Sequence, residues 1–235
     1  MSGTNRTLRS KGLLGDLTNL FCPRFCAVCG QRLTPDEPLL CSHCLLQLPY
    51  TQITRFTDNE VTQHFVAHVP VIRGYAHIRY RGEPDSQALL SKLKYYSRPD
   101  VGDRMGEAIA NELLPQGFFD GIEAIVPVPL HWRRFVKRSY NQSHRLAKGL
   151  ARVTGLPVRT HIVRRIRNNE SQTSLSPEQR TENVRGIFKA RPTHHRHLLL
   201  VDDVLTTGAT LVSCAQAIAE RNPGVCFSIL TLAKV

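Results

Sequence analysis

The residues of this chain best suited to chemistry follow a short apolar run near its C-terminus. Residues 198–201 have the length of a buried parallel strand, and the adjacent acids Asp202 and Asp203 close the run. A loop rich in hydroxyl groups comes next, made of Thr206, Thr207, Gly208, Ala209 and Thr210. Backbone N–H groups in such a loop and the positive end of the helix predicted after it form a cradle for a phosphate. Carboxylates suit sugar hydroxyls or hydrated Mg²⁺, so the pattern predicts a phosphorylated ribose with its 5′-phosphate on the loop within 202–210.

The signature also resembles that of a known family. An apolar run, two acids, a short apolar spacer and a Thr-Thr-Gly-x-Thr loop resemble the diphosphate-sugar signature of type I phosphoribosyltransferases. It is not a Walker loop, because no Gly-Lys-Ser/Thr follows. The alternative interpretation is an ordinary buried strand with a threonine-rich turn.

A second candidate anion site follows the apolar run that ends near Pro127. In open parallel sheets, ligands bind beyond the carboxyl ends of the strands, at a switch point in the topology. The loop after this run contains four basic residues and then leads into a predicted helix. Cations and a helix start together favour an anion. The candidate residues of this loop are Arg138, Ser139, Tyr140, Asn141 and Gln142. The two loops together predict binding of phosphoribosyl pyrophosphate (PRPP) with Mg²⁺.

Cysteines near the N-terminus have the spacing of a metal site. Two Cys-x-x-Cys pairs are formed by Cys26, Cys29, Cys41 and Cys44. This pairing predicts a structural Zn(Cys)₄ finger. Cys22 or His43 in place of one ligand is an alternative that the spacing leaves open, and two disulfides are another. We expect a cytoplasmic protein because the chain shows neither a secretory signal nor an apolar stretch of membrane-span length, and that compartment disfavours disulfides.

Together these motifs resemble the ComF/GntX family of phosphoribosyltransferase-like competence proteins, over about residues 22–235. That family combines a Cys₄ finger, an Arg-Gly-aromatic-Asn-Gln loop, a later group of Arg, Gln, Leu, Arg and Asn, and the signature. The chain matches the later group with Arg167, Gln172, Leu175, Arg180 and Asn183. Ser139 stands where the family usually has glycine, and it would be strained if that position requires a positive φ.

The resemblance implies a function and partners. It implies a role in DNA uptake and natural transformation, or in the use of extracellular DNA. A DNA-uptake helicase or other competence proteins are then candidate protein partners. The alternative function is that of a conventional nucleobase-salvage phosphoribosyltransferase.

The distribution of charge points to a polyanion. The net charge is +12, and residues 124–169 contain eleven basic residues and no Asp or Glu. Such a segment indicates a polyphosphate or nucleic-acid partner, and with the finger it predicts binding of single-stranded DNA. Basic decoration without a partner is the alternative. Trp132 is either a base-stacking residue or a partly buried anchor. Lys94 is interpreted as a residue of an ordinary helix surface, while the similar Leu-Lys-Tyr of the family leaves a supporting role in the anion cleft open.

Strand and helix patterns alternate after the finger. Strands are predicted at 71–80, 122–128, 157–163, 198–202 and 226–232, and helices at 87–96, 101–114, 142–153 and 209–220. This order predicts an α/β fold with a mainly parallel, type I phosphoribosyltransferase-like sheet, flanking helices and a small N-terminal zinc finger. The expected division is 1–48 for the N-terminal segment with the finger, 49–70 for a linker and 71–235 for the phosphoribosyltransferase-like domain.

If the protein is an enzyme, the expected reaction transfers ribose 5-phosphate with loss of pyrophosphate. Positive charge develops on the sugar and negative charge on the leaving group, so acids near the ribose and cations near the pyrophosphate are required. The polar segment 165–180 is predicted to act as a lid that brings in Arg167 or Arg180. The predicted catalytic residues are Asp202, Asp203, Arg138 and Arg167.

Overall fold

The computed structural model describes residues 23–95, 98–167 and 186–235. Its helices are α1 Ser42–Gln47, α2 Pro84–Tyr95, α3 Pro99–Leu113, α4 Trp132–Arg138, α5 Gln142–Thr154 and α6 Ala209–Arg221. Its strands are β1 Val71–Arg79, β2 Ala124–Pro127, β3 Val163–Arg165, β4 Phe188–Ala190, β5 His197–Leu205 and β6 Cys226–Lys234. Two short 3₁₀ turns, Thr62–His64 and Leu114–Gln116, complete the list.

A four-stranded parallel sheet forms the centre of the fold, in the order β1-β6-β5-β2. β3 and β4 form a separate antiparallel pair. The apolar runs of the parallel strands are buried on both faces, as expected when helices cover both sides of a sheet. The prediction of a mainly parallel α/β sheet with flanking helices is therefore confirmed.

The two faces of the sheet have separate hydrophobic cores. Leu199 and Val201 of β5 point into the core that contains the apolar side chains of α2, α3, α5 and the cysteine-rich segment. Leu198 and Leu200, which alternate with them, point into the core formed with α6 and with the β3–β4 pair. This alternation follows from the two-residue period of a strand.

Two glycines set how closely α3 and α5 approach. A Cβ atom on Gly149 of α5 would lie 2.0 Å from the carbonyl oxygen of Asp103 and 2.8 Å from the Cα atom of Gly106. Arg145 and Arg152 of α5 then reach the Asp103 carboxylate at 2.6 and 3.0 Å. The backbone contact and these ion pairs hold α5 in place, and with it the start of α5 at the edge of the sheet.

The segment predicted as a linker, 49–70, packs on the domain. Residues 49–51 run antiparallel to the free edge of β1, and the Thr51 N–H donates to the carbonyl of His77 at 3.1 Å. Val61 and Phe65 are fully buried in the core on the α6 side. The cysteine-rich segment shares the other core with α3 and α5, so hydrophobic packing joins it to the sheet.

The structure differs from the prediction at two places. The strand predicted at 157–163 is reduced to a parallel bridge between Val158 and Ile125, because the chain then leaves the edge of β2 and pairs with β4 from Val163 onward. The cationic loop after β2 contains a helix that was not predicted, α4. The apolar residues of α4 are largely exposed and do not form a core-facing stripe. The periodicity that identifies a helix packed on a core therefore gave no signal for α4.

Candidate functional site

The acid pair lies within the C-terminal half of β5, which extends to Leu205 and so continues past the predicted end of the strand. One carboxylate oxygen of Asp202 accepts hydrogen bonds from the Ser143 hydroxyl at 2.8 Å and from the backbone N–H of Asp203 at 2.9 Å. Burial, and after it the neighbouring Asp203 carboxylate, raises the pKa of Asp202 to about 7. The site therefore holds a carboxyl group whose ionisation is unfavourable until a ligand or cation compensates it.

Lys94 of α2 belongs to this site and not to an ordinary helix surface. Its Nζ atom lies 3.4 Å from the carboxylate of Asp203, and only 24% of its side chain is exposed. Of the two interpretations of Lys94, this contact favours the supporting role that the family resemblance left open over the ordinary helix surface. Helical periodicity could not reveal the contact, because it depends on α2 crossing the carboxyl edge of a sheet whose strand is distant in sequence.

The threonine-rich loop connects β5 to α6 with a tight backbone turn. Gly208 has a φ of 77° and is the residue preceding the first turn of α6. A Cβ atom at this position would lie 3.3 Å from the Cβ atom of His64 and 3.5 Å from its Nδ1 atom. The Thr207 hydroxyl accepts a hydrogen bond from the Ala209 N–H at 3.4 Å. Glycine is thus required by backbone conformation and by the close approach of His64, a residue that sequence reasoning did not connect to the loop.

The strand order places both predicted loops at one point of the sheet. β2 and β5 are neighbours, yet α5 after β2 packs in one core and α6 after β5 packs in the other. Adjacent strands whose following helices lie on opposite faces leave a crevice at their carboxyl ends. The acid pair, the loop and the start of α5 meet at this switch point, as the sequence predicted.

The cationic loop is held by its own hydrogen bonds. Ser139 has a φ of 64°, the left-handed conformation that favours glycine. Asn141 caps α5, since its side-chain oxygen accepts from the Ser143 N–H at 3.0 Å and its amide donates to the Val128 carbonyl at 2.9 Å. The Tyr140 hydroxyl donates to the carbonyl of Leu93. These contacts fix the path of the chain into α5 and join it to α2.

Arg138 and Gln142 interact with each other within this loop. The guanidinium of Arg138 donates to the side-chain oxygen of Gln142 at 3.0 Å, and Gln142 is 1% exposed. This hydrogen bond holds the guanidinium of Arg138 at the start of α5. Arg167 is exposed at the end of a described range, whereas Arg180 and most of the predicted lid lie outside the described residues.

Part of the basic segment is neutralised by α3. Arg145 and Arg152 pair with Asp103, which is 7% exposed, and Arg152 also pairs with Glu107 at 2.7 Å. The acid-free character of residues 124–169 in sequence is therefore not reproduced in space around α5. Folding brings acids of α3 to these two arginines and so neutralises part of the positive charge of the segment.

The four cysteines form one cluster. The sulfur atoms of Cys26, Cys29, Cys41 and Cys44 all lie within 4.8 Å of one another. The Cys29 and Cys41 sulfurs are 3.7 Å apart, close to the roughly 3.8 Å edge of a tetrahedron with Zn–S bonds of about 2.3 Å. His43 is exposed and outside this cluster, and Cys22 lies outside the described residues. The tetrad can hold a zinc ion.

Backbone donors stabilise the thiolate of one cysteine of the cluster, Cys26. Burial alone would raise the pKa of the Cys26 thiol, but N–H groups of Cys41, Cys29 and Val28 outweigh it and lower that pKa to about 7. The Cys41 N–H lies 3.4 Å from the Cys26 sulfur. Gly30 follows the first pair with a φ of 75°. Donors aimed at sulfur stabilise the thiolate form that binds metal.

A membrane-spanning helix is not found among the residues that the structure describes, since none of those helices is both long and apolar enough.

Comparison with known proteins gives relatives named for DNA utilization and for competence. The DNA utilization protein YhgH of Escherichia coli O6:H1 is 31% identical over 201 residues, which are 84% of this chain and 85% of that protein. Competence protein F of Haemophilus influenzae is 39% identical over 93 residues, 38% of this chain and 41% of that protein. Competence protein ComFC of Bacillus subtilis is 35% identical over 112 residues, 46% of this chain and 43% of that protein. No family model matches the chain. The near-complete match to YhgH, together with the two competence proteins, shows that this chain belongs to the ComF family.

Proposed function

We propose that this protein binds Mg²⁺·PRPP at the switch point between β2 and β5, binds single-stranded DNA, and acts in DNA uptake or in the use of extracellular DNA. The DNA-related role rests on the relatives, whose names are DNA utilization protein and competence protein. The ligand rests on the chemistry of the site itself.

One observation carries the PRPP proposal, namely the acid pair and the glycine-capped loop on the same strand end. Asp202 and Asp203 supply two adjacent carboxyl groups, and the loop leads into the N-terminus of a 13-residue helix. Carboxylates accept hydrogen bonds from a ribose diol, and a helix start with free N–H groups attracts the 5′-phosphate. The acid pair and the phosphate loop are separated by only two residues of chain, as binding of both ends of one sugar phosphate requires.

The pyrophosphate end of PRPP is assigned to the start of α5 and to two basic residues near it. Arg138 offers a guanidinium on the loop before α5, and Lys94 offers an ammonium beside Asp203. The carboxylates and the phosphate oxygens are the hard oxygen ligands that Mg²⁺ prefers, so the site fits this ion. Mg²⁺ held by these groups would neutralise the pyrophosphate, and Lys94 is placed to balance the charge of Asp203.

Calorimetry with Mg²⁺·PRPP tests this assignment. We expect binding by the wild-type protein and a loss of most of the affinity in the Asp202→Asn/Asp203→Asn double variant, because each hydrogen bond from ribose to a charged acceptor is worth about 1.5–3 kcal/mol. Asp120→Asn, at an exposed acid far along the chain from the site, is the control and should bind as the wild type does. Absence of heat with wild-type protein, or equal affinity in the double variant, contradicts the proposal.

Single-strand binding is tested separately. Fluorescence anisotropy of a labelled oligonucleotide should show log–log salt dependence with a slope of about −0.7 for each phosphate contact. Arg133→Ala, Arg134→Ala and Lys137→Ala combined should reduce that slope by about two to three contacts. Affinity no higher than that of an unrelated protein of equal charge contradicts this part of the proposal and leaves the PRPP site untouched.

A panel of free nucleobases distinguishes the salvage alternative. Release of pyrophosphate from PRPP with one base, at a rate that falls in the Asp202→Asn/Asp203→Asn variant, would assign the protein to salvage chemistry. The fold alone supports either outcome, since one fold serves many functions.

A further inference from the structure

An aromatic face on α4 is left exposed next to the candidate site. Trp132, Phe135 and Val136 are 65%, 51% and 71% exposed, respectively. They occupy positions i, i+3 and i+4 of one helix, which places them on one side of it. Single exposed apolar residues are common on protein surfaces, but a contiguous group of large ones marks a contact surface.

The ends of α4 are fixed, so this face is a defined surface. His131 before the helix is 5% exposed, and its carbonyl accepts from the Phe135 N–H at 3.0 Å. At the other end the Ser139 N–H donates to the Phe135 carbonyl at 2.7 Å, and Ser139 turns the chain with its positive φ. The Tyr140 and Asn141 contacts then tie the chain to α2 and β2. The aromatic rings are therefore presented by a short rigid element beside the switch point.

The surroundings select the chemistry of the occupant. The helix lies in the part of the chain, residues 124–169, that contains no Asp or Glu, and its own sequence includes four basic residues. Two arginines of α5, Arg145 and Arg152, pair with Asp103 of α3. α4 lies before α5 in the chain, after the carboxyl end of β2. Apolar rings within a basic segment suit a ligand that combines flat apolar faces with negative charge. A nucleic acid strand with unpaired bases has this combination.

We propose that Trp132 and Phe135 form a base-stacking platform for single-stranded DNA, with the basic residues of the same segment on the phosphates. This inference rests on the proposed single-strand binding and specifies where and how it occurs. Stacking on aromatic rings is tolerant of sequence, because every base has a π-face. The platform therefore binds strands of different sequence and requires bases to be present.

The single tryptophan of the chain makes the test direct, because intrinsic tryptophan fluorescence then reports on Trp132 alone. The full-length protein is titrated with an oligo-dT strand and with an abasic strand of equal length and charge. We expect the dT strand to quench the fluorescence and to bind at least about tenfold more tightly than the abasic strand, since stacking is worth about 1–3 kcal/mol for each base.

Variants separate stacking from folding. Trp132→Ala, followed by anisotropy, and Phe135→Ala, which keeps the tryptophan reporter, should each weaken dT binding at least about fivefold and reduce the preference for dT over abasic strands. Val66→Ala is the matched control, because Val66 is also a large exposed apolar residue, 73% exposed, and lies away from α4 in the chain. Unchanged PRPP binding in all three variants shows that they remain folded.

The outcomes discriminate between the proposals. If the wild-type protein binds dT and abasic strands equally and without quenching, the platform is refuted while single-strand binding stands. If it binds no strand at all, both fail, and PRPP calorimetry decides the rest of the proposed function. Quenching or a blue shift with phosphatidylglycerol vesicles but not with DNA would overturn the platform and identify the face as a membrane contact.

Discussion

Asp202→Asn should make the protein more stable above neutral pH while it weakens PRPP binding. The pKa of Asp202 is raised from 3.8 to about 7, first by burial and then by the Asp203 carboxylate. Each pKa unit corresponds to about 1.36 kcal/mol, so keeping this group ionised in the folded protein costs about 4 kcal/mol. Asparagine has the same shape and no charge, and its side-chain oxygen still accepts from the Ser143 hydroxyl.

The sign of the effect depends on pH in a defined way. Because the folded protein holds the proton more tightly than the unfolded chain, wild-type stability falls as the pH rises from about 4 to 7. The stability difference between Asp202→Asn and wild type should therefore be near zero at pH 4, grow through this window, and reach its maximum of about 4 kcal/mol above pH 7.

Urea unfolding of both proteins at several pH values between 5 and 8 measures this difference. Both proteins carry the same cysteine cluster, so any effect of pH on that cluster cancels in the comparison. Asp203→Asn is the comparison variant: it removes the partner of Lys94 at 3.4 Å but also the carboxylate that helps to raise the pKa of Asp202, so it should stabilise the protein less than Asp202→Asn does. A difference that is independent of pH, or a variant less stable than wild type at pH 8, would refute the reasoning about Asp202.

Three further predictions follow from the packing of the described residues. The purified protein should contain one zinc ion held by Cys26, Cys29, Cys41 and Cys44, and elemental analysis of wild type against Cys41→Ser, with thiol titration, checks it; a zinc content near zero in the wild type would contradict it. Gly208→Ala and Gly155→Ala place alanine at φ values of 77° and 73°, and each should lower the stability of the fold by about 1–2 kcal/mol. Only Gly208→Ala, whose Cβ atom meets His64, should also weaken PRPP binding, at least about tenfold by calorimetry. Equal PRPP affinities of the two variants would argue against phosphate binding by the loop. Gly149→Ala should destabilise the fold by about 3 kcal/mol or more in urea because its Cβ would lie 2.0 Å from the Asp103 carbonyl, and a loss no larger than that of Gly155→Ala would show that α3 and α5 can separate.

Local patterns were sufficient to predict the central sheet and the strand, turn and helix start around the acid pair. The apolar run before Asp202 and the glycine before α6 encode a buried strand, a tight turn and a helix start within one stretch of chain. The spacing of the four cysteines likewise predicts that their side chains cluster. In these cases the interacting residues are specified by short-range sequence signals.

Long-range contacts account for what the sequence did not reveal. Lys94 reaches Asp203, Ser143 reaches Asp202, and His64 lies against Gly208, and each pair joins elements far apart in the chain. The neutralisation of Arg145 and Arg152 by acids of α3 is of the same kind. Net charge counted along a segment cannot anticipate which opposite charges folding will bring to it.

The most direct test of the central assignment is a crystal structure of the protein with Mg²⁺ and PRPP bound. We predict that the 5′-phosphate accepts hydrogen bonds from backbone N–H groups of the loop from Thr206 to Thr210. We further predict that the ribose hydroxyls donate to Asp202 and Asp203, with the pyrophosphate toward Arg138. PRPP ordered away from this loop, with the acid pair making no contact to the sugar, would contradict it.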